Sequence, residues 1–233
     1  VTGVQTCALP ISTIRDLGDT DGASIALRNA INEGIAEGPR IYTAGKSIAT
    51  TGGHADPTNG TRRSLAGKPG PREGVIAGPD EAYAAVRYRY KEGADLIKIT
   101  ATGGVLSYAK NGMNPQFSQE EANAIVAAAK DYGFAVAAHA HGKEGIRRAI
   151  LAGVTTIEHG SYMDAELYPL MKQHGTWLVM DIYNDDYILA EYGRLGYPEK
   201  ILEKERLVGR TQRGLSSSHV ATQTPTPPAT LAA

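Results

Sequence analysis

The sequence predicts an α/β protein, a parallel sheet whose strands alternate with outer helices, wound as a (β/α) barrel. Three observations predict it. The first is a recurring order of helix, glycine, strand, with the glycines at Gly93, Gly133, Gly153 and Gly175. A glycine just past a helix supplies a left-handed stop, and strands alternating with helices argue a parallel sheet. The second is the stretch Gly133 to Gly160, GFAVAAHAHGKEGIRRAILAGVTTIEHG, where two short apolar runs end in histidine and one helix joins them. That is a βαβ unit, whose crossover is right-handed in nearly every case. The third is a pair of long glycine-rich loops after strands, Gly45 to Gly78 and Ala101 to Gln116, as in barrels that carry their sites on such loops. A doubly wound open sheet is the alternative. No Gly-x-Gly-x-x-Gly follows a strand to favour it.

The elements follow in order. Val1 to Ile11, VTGVQTCALPI, matches the translation of a common sequencing adapter read in one frame, so it is expected to be foreign to the fold and to displace the true N-terminus. Ser12 to Leu17 is a strand whose polar end, Arg15 and Asp16, is expected to pair under the pocket. Ala23 to Glu37 is a helix with Ala26, Leu27, Ala30, Ile31 and Ile35 on one face. Gly38-Pro39 breaks it, and Arg40 to Ala44 is the next strand. Pro79-Asp-Glu opens a helix to about Lys91, and Ala94 to Thr100 is a strand. Ser118 and Glu121 form a capping box opening a helix to Tyr132. Phe134 to Ala138 runs into His139 and His141, Lys143 to Ala152 is helical, and Val154 to Glu158 runs into His159. Asp164 caps a helix to His174, and Thr176 to Ile182 is the last strand. Tyr183 to Arg213 is polar and helical in composition. From Gly214 the character changes to Ser, Thr, Pro and Ala without charge or period, read as a disordered tail or a shifted reading frame. One barrel domain is therefore expected over residues 12–213.

Composition narrows the function. The chain of 233 residues carries a net charge near zero, −1, which gives no reason to expect a nucleic-acid or anionic-membrane partner. Its one cysteine, Cys7, excludes a disulfide framework and is compatible with the cytoplasm. No apolar run approaches a membrane span, and the first residues lack the pattern of a signal peptide.

Three residues on successive strands carry the chemistry. Alternation along Ala94 to Thr100 sends Leu96, Lys98 and Thr100 one way and Ile97 and Ile99 the other. A lysine inside a buried parallel strand is costly unless paired or modified. His139 and His159 lie at the C-terminal ends of the next two strands, where α/β proteins build sites. Taken singly, each has a plainer reading: a satisfied structural histidine, a salt-bridged lysine. Three such residues on adjacent strands favour a functional site over these plainer readings. His141 shares a face with His139. His54 and Tyr108, from the two loops, are candidates for the substrate pocket, although loop residues of these types are often ordinary.

The motifs TIRDLG (Thr13 to Gly18), GPRIYTAGKSIATTGGHAD (Gly38 to Asp56), DLIKITATGGV (Asp95 to Val105), AHAHG (Ala138 to Gly142) and IEHGSYMD (Ile157 to Asp164) stand in this order. In order and spacing the chain resembles the amidohydrolase superfamily of metal-dependent hydrolases, in the branch of imidazolonepropionase-like proteins and Xaa-Pro dipeptidases. The resemblance covers roughly Ser12 to Arg213. It implies an incomplete (β/α)8 TIM barrel in which about strands two to seven are present. It implies a binuclear divalent metal centre, zinc above others, with Lys98 as an N6-carboxylysine bridge and His139 and His159 as ligands of one metal. It implies hydrolysis of a C–N bond by metal-activated water, with a small molecule or an Xaa-Pro-type dipeptide as substrate. The His-x-His motif of strand one and the general-base aspartate of strand eight have no counterpart here, so no catalytic base is assigned. His141 has no ligand role in the pattern and is read as a substrate contact or a support for His139.

Two other readings stand beside it. A buried lysine also suits a Schiff-base barrel lyase of the aldolase type. A truncated sheet with no function of its own is the third, and the chain by itself is expected to have little or no hydrolytic activity. Homo-oligomerisation is left open.

Overall fold

A computed structural model describes residues 11–108, 110–181 and 184–219. The stretch read as adapter-derived lies outside them except for Ile11, as does the tail beyond residue 219. The elements are β1 (Thr13–Asp16), α1 (Ala23–Asn32), β2 (Arg40–Thr43), β3 (Ala49–Thr50), α2 (Arg63–Ala66), a 3₁₀ turn (Pro71–Glu73), β4 (Val75–Ile76) and α3 (Pro79–Glu92). Then come β5 (Ile97–Thr100), α4 (Gln119–Asp131), β6 (Val136–Ala140), α5 (Lys143–Ala152), β7 (Thr156–His159), α6 (Leu167–His174) and β8 (Trp177–Val179). The chain closes with α7 (Asn184–Tyr187), a π-helical turn (Ile188–Tyr192) and α8 (Glu199–His219).

All strand pairs are parallel. β5, β6, β7 and β8 form one sheet in that order, and β1 pairs with β2. The pieces join through the Asp95 amide on the Thr43 carbonyl (2.7 Å) and a parallel bridge between Ile48 and Ile99. The six principal strands are the six the sequence predicts. The tiny pair β3 and β4 lies inside the loop expected to be structureless. Two residues per strand are too few to show a period.

The sheet curls without closing among the described residues. Arg15 on β1 reaches Glu158 on β7 at 2.9 Å. In a flat sheet those strands would stand four spacings apart, about 19 Å. An arginine spans the gap only if the sheet bends as a barrel wall does. Arg15 thus pairs beneath the pocket as expected, but with Glu158; Asp16 instead accepts from the Thr43 hydroxyl at 3.2 Å.

Curvature gives the sheet two unlike faces. The outer face buries Ile97, Ile99, Val136, Ala138 and Ile157 against helices carrying Ile125, Ile146 and Ile150. The inner face holds small or polar residues, with Leu96, Ala137 and Ala44 packed together, because a narrowing interior has little room. The capping box forms as read: the Ser118 hydroxyl accepts from the Glu121 amide at 3.2 Å, and the Glu121 carboxylate accepts from the Ser118 amide at 2.9 Å.

Two boundaries differ from expectation. α1 stops at Asn32, because Gly34 takes a φ of 73° and the Ile35 amide turns back to the Ala30 carbonyl. Ile35, expected on the core face, is therefore exposed, and α1 is anchored by Ile25. At the other end, α8 continues past Arg213 to His219, beyond the point where composition placed the end of the domain. Among the described residues no helix is long and apolar enough to cross a membrane.

Candidate metal centre

The register places the site. Lys98 stands opposite Ala137, and Thr100 opposite His139. His139 in turn stands opposite Glu158. Lys98, His139 and Glu158 therefore share the inner face. His159, one residue further along β7 and opposite Ala140, belongs by the same alternation to the outer face. It does not stay there. Its φ of 69° breaks the pleat and turns the ring inward, to 4.7 Å from His139 and 5.0 Å from His141 between ring centroids. A non-glycine residue in this region is strained, and such strain concentrates at functional sites.

His54 arrives from the long loop after β2 and stacks on His139 at 4.4 Å. Its amide donates to Gln116 Oε1 at 2.7 Å. Gly104 makes room for it, since a Cβ there would lie 2.1 Å from His54 Cε1. His141 completes a cluster of four histidines, 4.6 Å from His139. Tyr108 is not brought in. It is 54% exposed, with Lys200 Nζ 4.4 Å over its ring.

Burial holds three of these imidazoles neutral. His139 is pushed well below the usual histidine range by desolvation and then by its histidine neighbours. Desolvation, followed by the charge on His159, takes His54 down to about 4 and His141 to about 3. The neutral ring is the form that binds a cation. A hydrogen bond fixes the tautomer of His139, and a second orients the His159 ring. His139 Nε2 lies 3.0 Å from the Gly103 carbonyl, which can only accept, so Nδ1 carries the free lone pair. His159 Nδ1 lies 3.1 Å from Asp181 Oδ1, which can only accept, so Nε2 is the ring nitrogen turned away from that carboxylate. Outer N–H groups held by a carbonyl and a carboxylate are the usual support of metal-binding histidines. His141 Nδ1 meets the Ser161 hydroxyl at 2.7 Å.

Lys98 is 8% exposed. Desolvation lowers its amine to about 8, partly offset by the opposing charge of Glu158. Among the described residues nothing hydrogen-bonds to that amine. Among them, too, no three His, Cys, Asp or Glu side chains form a cation site by themselves. These side chains would suit a divalent cation only with Lys98 among them, since it alone adds a buried amine to the same inner face.

A cavity of about 110 Å³ opens on the four histidines. Its far wall comes from the Ala101 to Gln116 loop and from α8, where Val105, Ile201 and Val208 pack together. Glu205 lines it and is 3% exposed. Burial, and then the nearby Asp185 and Asp181, push its carboxyl up to about 7. Sequence reading missed Glu205. The signal was present: it stands at the spacing of Ile201 and Val208, a carboxyl in an apolar stripe. Glu158, Asp181 and Ser161 were missed too, and their partnerships are visible only in three dimensions.

Known proteins agree with this architecture. Ochratoxinase of Aspergillus niger is 38% identical over 186 residues, 75% of this chain and 39% of that protein. A Xaa-Pro dipeptidase, solved with methionine bound in its active site, is 55% identical and superposes with a TM-score of 0.82 over 86% of this chain and 50% of that one. A prolidase solved with N-methylphosphonate-L-proline is 34% identical, with a TM-score of 0.76 over 87% of this chain and 50% of that one. The chain spans half the length of these solved relatives or less of the curated one. Residues 4–206 match the amidohydrolase family, and with that match and this inner-face histidine cluster, the chain belongs to the amidohydrolase family.

Proposed function

We propose that the protein of which this chain is a part is a metal-dependent hydrolase of C–N bonds acting on small amides or Xaa-Pro-type dipeptides. The single observation that carries the reading is the buried, unbonded Lys98 amine on the same inner face as His139, beside the inward-turned His159. An amine lowered to about 8 is partly neutral at physiological pH. It can attack carbon dioxide: the nitrogen lone pair forms an N–C bond, one C=O π pair moves onto oxygen, and the nitrogen releases a proton to water, giving a carbamate. The carbamate would offer two oxygens sharing one negative charge, from a residue that otherwise has none to give a cation. His139 through Nδ1 and His159 would be the imidazole ligands. A bound divalent cation, zinc by the preference of imidazole, supplies Lewis acidity toward water and the scissile carbonyl.

The chain's own residues prepare that chemistry. The Gly103 carbonyl holds His139 in the ligating tautomer, and Asp181 orients the His159 ring. His54 and His141 line the cavity with neutral rings that can orient a substrate carbonyl or carboxylate. The Xaa-Pro dipeptidase and prolidase likenesses support a dipeptide, and the ochratoxinase likeness supports a bulkier amide.

The test is zinc content of the purified chain, with bicarbonate present, beside Lys98→Ala. About one tightly bound zinc, lost in the variant and reduced by exhaustive decarbonation, is expected. Equal zinc in both proteins would remove Lys98 from the centre.

A further inference from the structure

The cavity has a carboxyl that hydrolysis as described leaves unused. On α8, Glu205 lies four residues after Ile201 and three before Val208, so all three face the same way; each is at most 3% exposed. Its place is thus within an apolar stripe, where a carboxyl is costly unless something compensates it. Among the described residues no hydrogen bond or ion pair reaches it. The adjacent cation, Lys204, is turned to the Gly104 and Ser107 carbonyls, at 3.0 and 2.6 Å. The ionisable groups that bear on Glu205 are Asp185 and Asp181, both acidic. The remaining walls of the cavity are the four histidines and the apolar Val105, Leu106, Ile188 and Val208. At about 110 Å³, the space holds a few non-hydrogen atoms, since a water's share of the liquid is about 30 Å³.

We propose that Glu205 is a specificity-determining residue that binds an alkylammonium group of the substrate, with the apolar wall taking its methylene stem. An ammonium answers the missing charge, and the cavity is too small for a large planar cation. Two sources share this chemistry, the free α-ammonium of a dipeptide and the side chain of a basic residue. The choice between them rests on the hydrolase reading above; the ammonium subsite itself does not.

Butylammonium, with 1-butanol as uncharged control, is titrated into this chain and into Glu205→Gln, following the histidine ring signals by NMR. Butylammonium is expected to bind the unmodified chain at least about tenfold tighter than Glu205→Gln, with butanol unable to tell them apart. Glu205→Asp should fall between. Equal butylammonium affinity in the two proteins overturns the proposal. If Glu205→Gln loses its dispersed ring signals, the unmodified chain decides alone: equal binding of butylammonium and butanol overturns it. Ala-Pro, N-acetyl-Ala-Pro and N-acetyl-Ala-Lys then identify the source. Preference for the first over the second assigns the α-ammonium; preference for the third assigns the side chain. Butylammonium bound with no dipeptide bound upholds the subsite and sinks the dipeptide reading. Dipeptides bound without preference for charge sink the subsite and leave that reading intact.

Discussion

Arg15 and Glu158 are 143 residues apart in the chain and 2.9 Å apart in the fold. The pair ties β1 to β7 across the concave face and places a carboxylate beneath Lys98. Its partners are unequal: the Glu158 side chain is 6% exposed, that of Arg15 34%. Arg15→Met should cost about 2 kcal/mol in urea unfolding, less than the 3–5 of a fully buried pair because solvent reaches the arginine. Arg15→Met with Glu158→Leu should recover most of it. A single variant as stable as the parent would show that the curl does not depend on this pair.

His159 carries backbone strain so that its ring can face inward. Two truncations separate the strain from the side chain. His159→Gly should be more stable than His159→Ala by about 1 kcal/mol, since both lose the ring and only glycine tolerates a φ of 69°. Denaturant midpoints of the two variants measure it, and the reverse order would mean the strained backbone relaxes once the ring is gone.

The buried histidines should make the metal-free protein acid-sensitive. His141 is lowered from 6.5 to about 3 in the fold, so between those values the unfolded chain binds a proton that the native state does not. Its contribution is complete above about pH 6.5 and declines as pH falls toward 3. At pH 4.5 the loss from this residue is about 2 to 3 kcal/mol. His141→Asn should flatten that part of the stability profile, read from unfolding midpoints between pH 7.5 and 4.5. An unchanged slope would mean that His141 is protonated in the native state.

At the start of α4, Glu121 does more than its sequence motif asks. Besides the Ser118 amide it accepts from the Gly78 amide at 2.8 Å, joining the helix to the turn before α3. Ser118→Ala should cost about 1 kcal/mol, the usual loss of a cap. Glu121→Ala should cost more, because two amides lose their acceptor. Thermal melts of the two variants give the order.

Much of this was legible in the sequence because it is local. Lys98 between Ile97 and Ile99 announces which face each occupies, and the register bears it out. Ser118 and Glu121 announce a helix start four residues wide. Ile35 misled, because its four-residue spacing from Ile31 reads as one helix although Gly34 ends it first. His54 was readable only as a loop histidine of uncertain duty; its stacking on His139 depends on Gly104 and Gln116, which approach from another loop.

The sequence by itself determined the alternation of helix and strand, the inner and outer faces, and Lys98 and His139 as inner-face neighbours. Those follow from periods of two and 3.6 and from capping, which act over a few residues. Only the tertiary structure decided that the sheet curls enough for Arg15 to meet Glu158, that His159 leaves its pleat, and that α8 closes the pocket with a buried glutamate. Those outcomes depend on strand curvature and loop paths, which carry no short-range period and are set only when distant surfaces pack together.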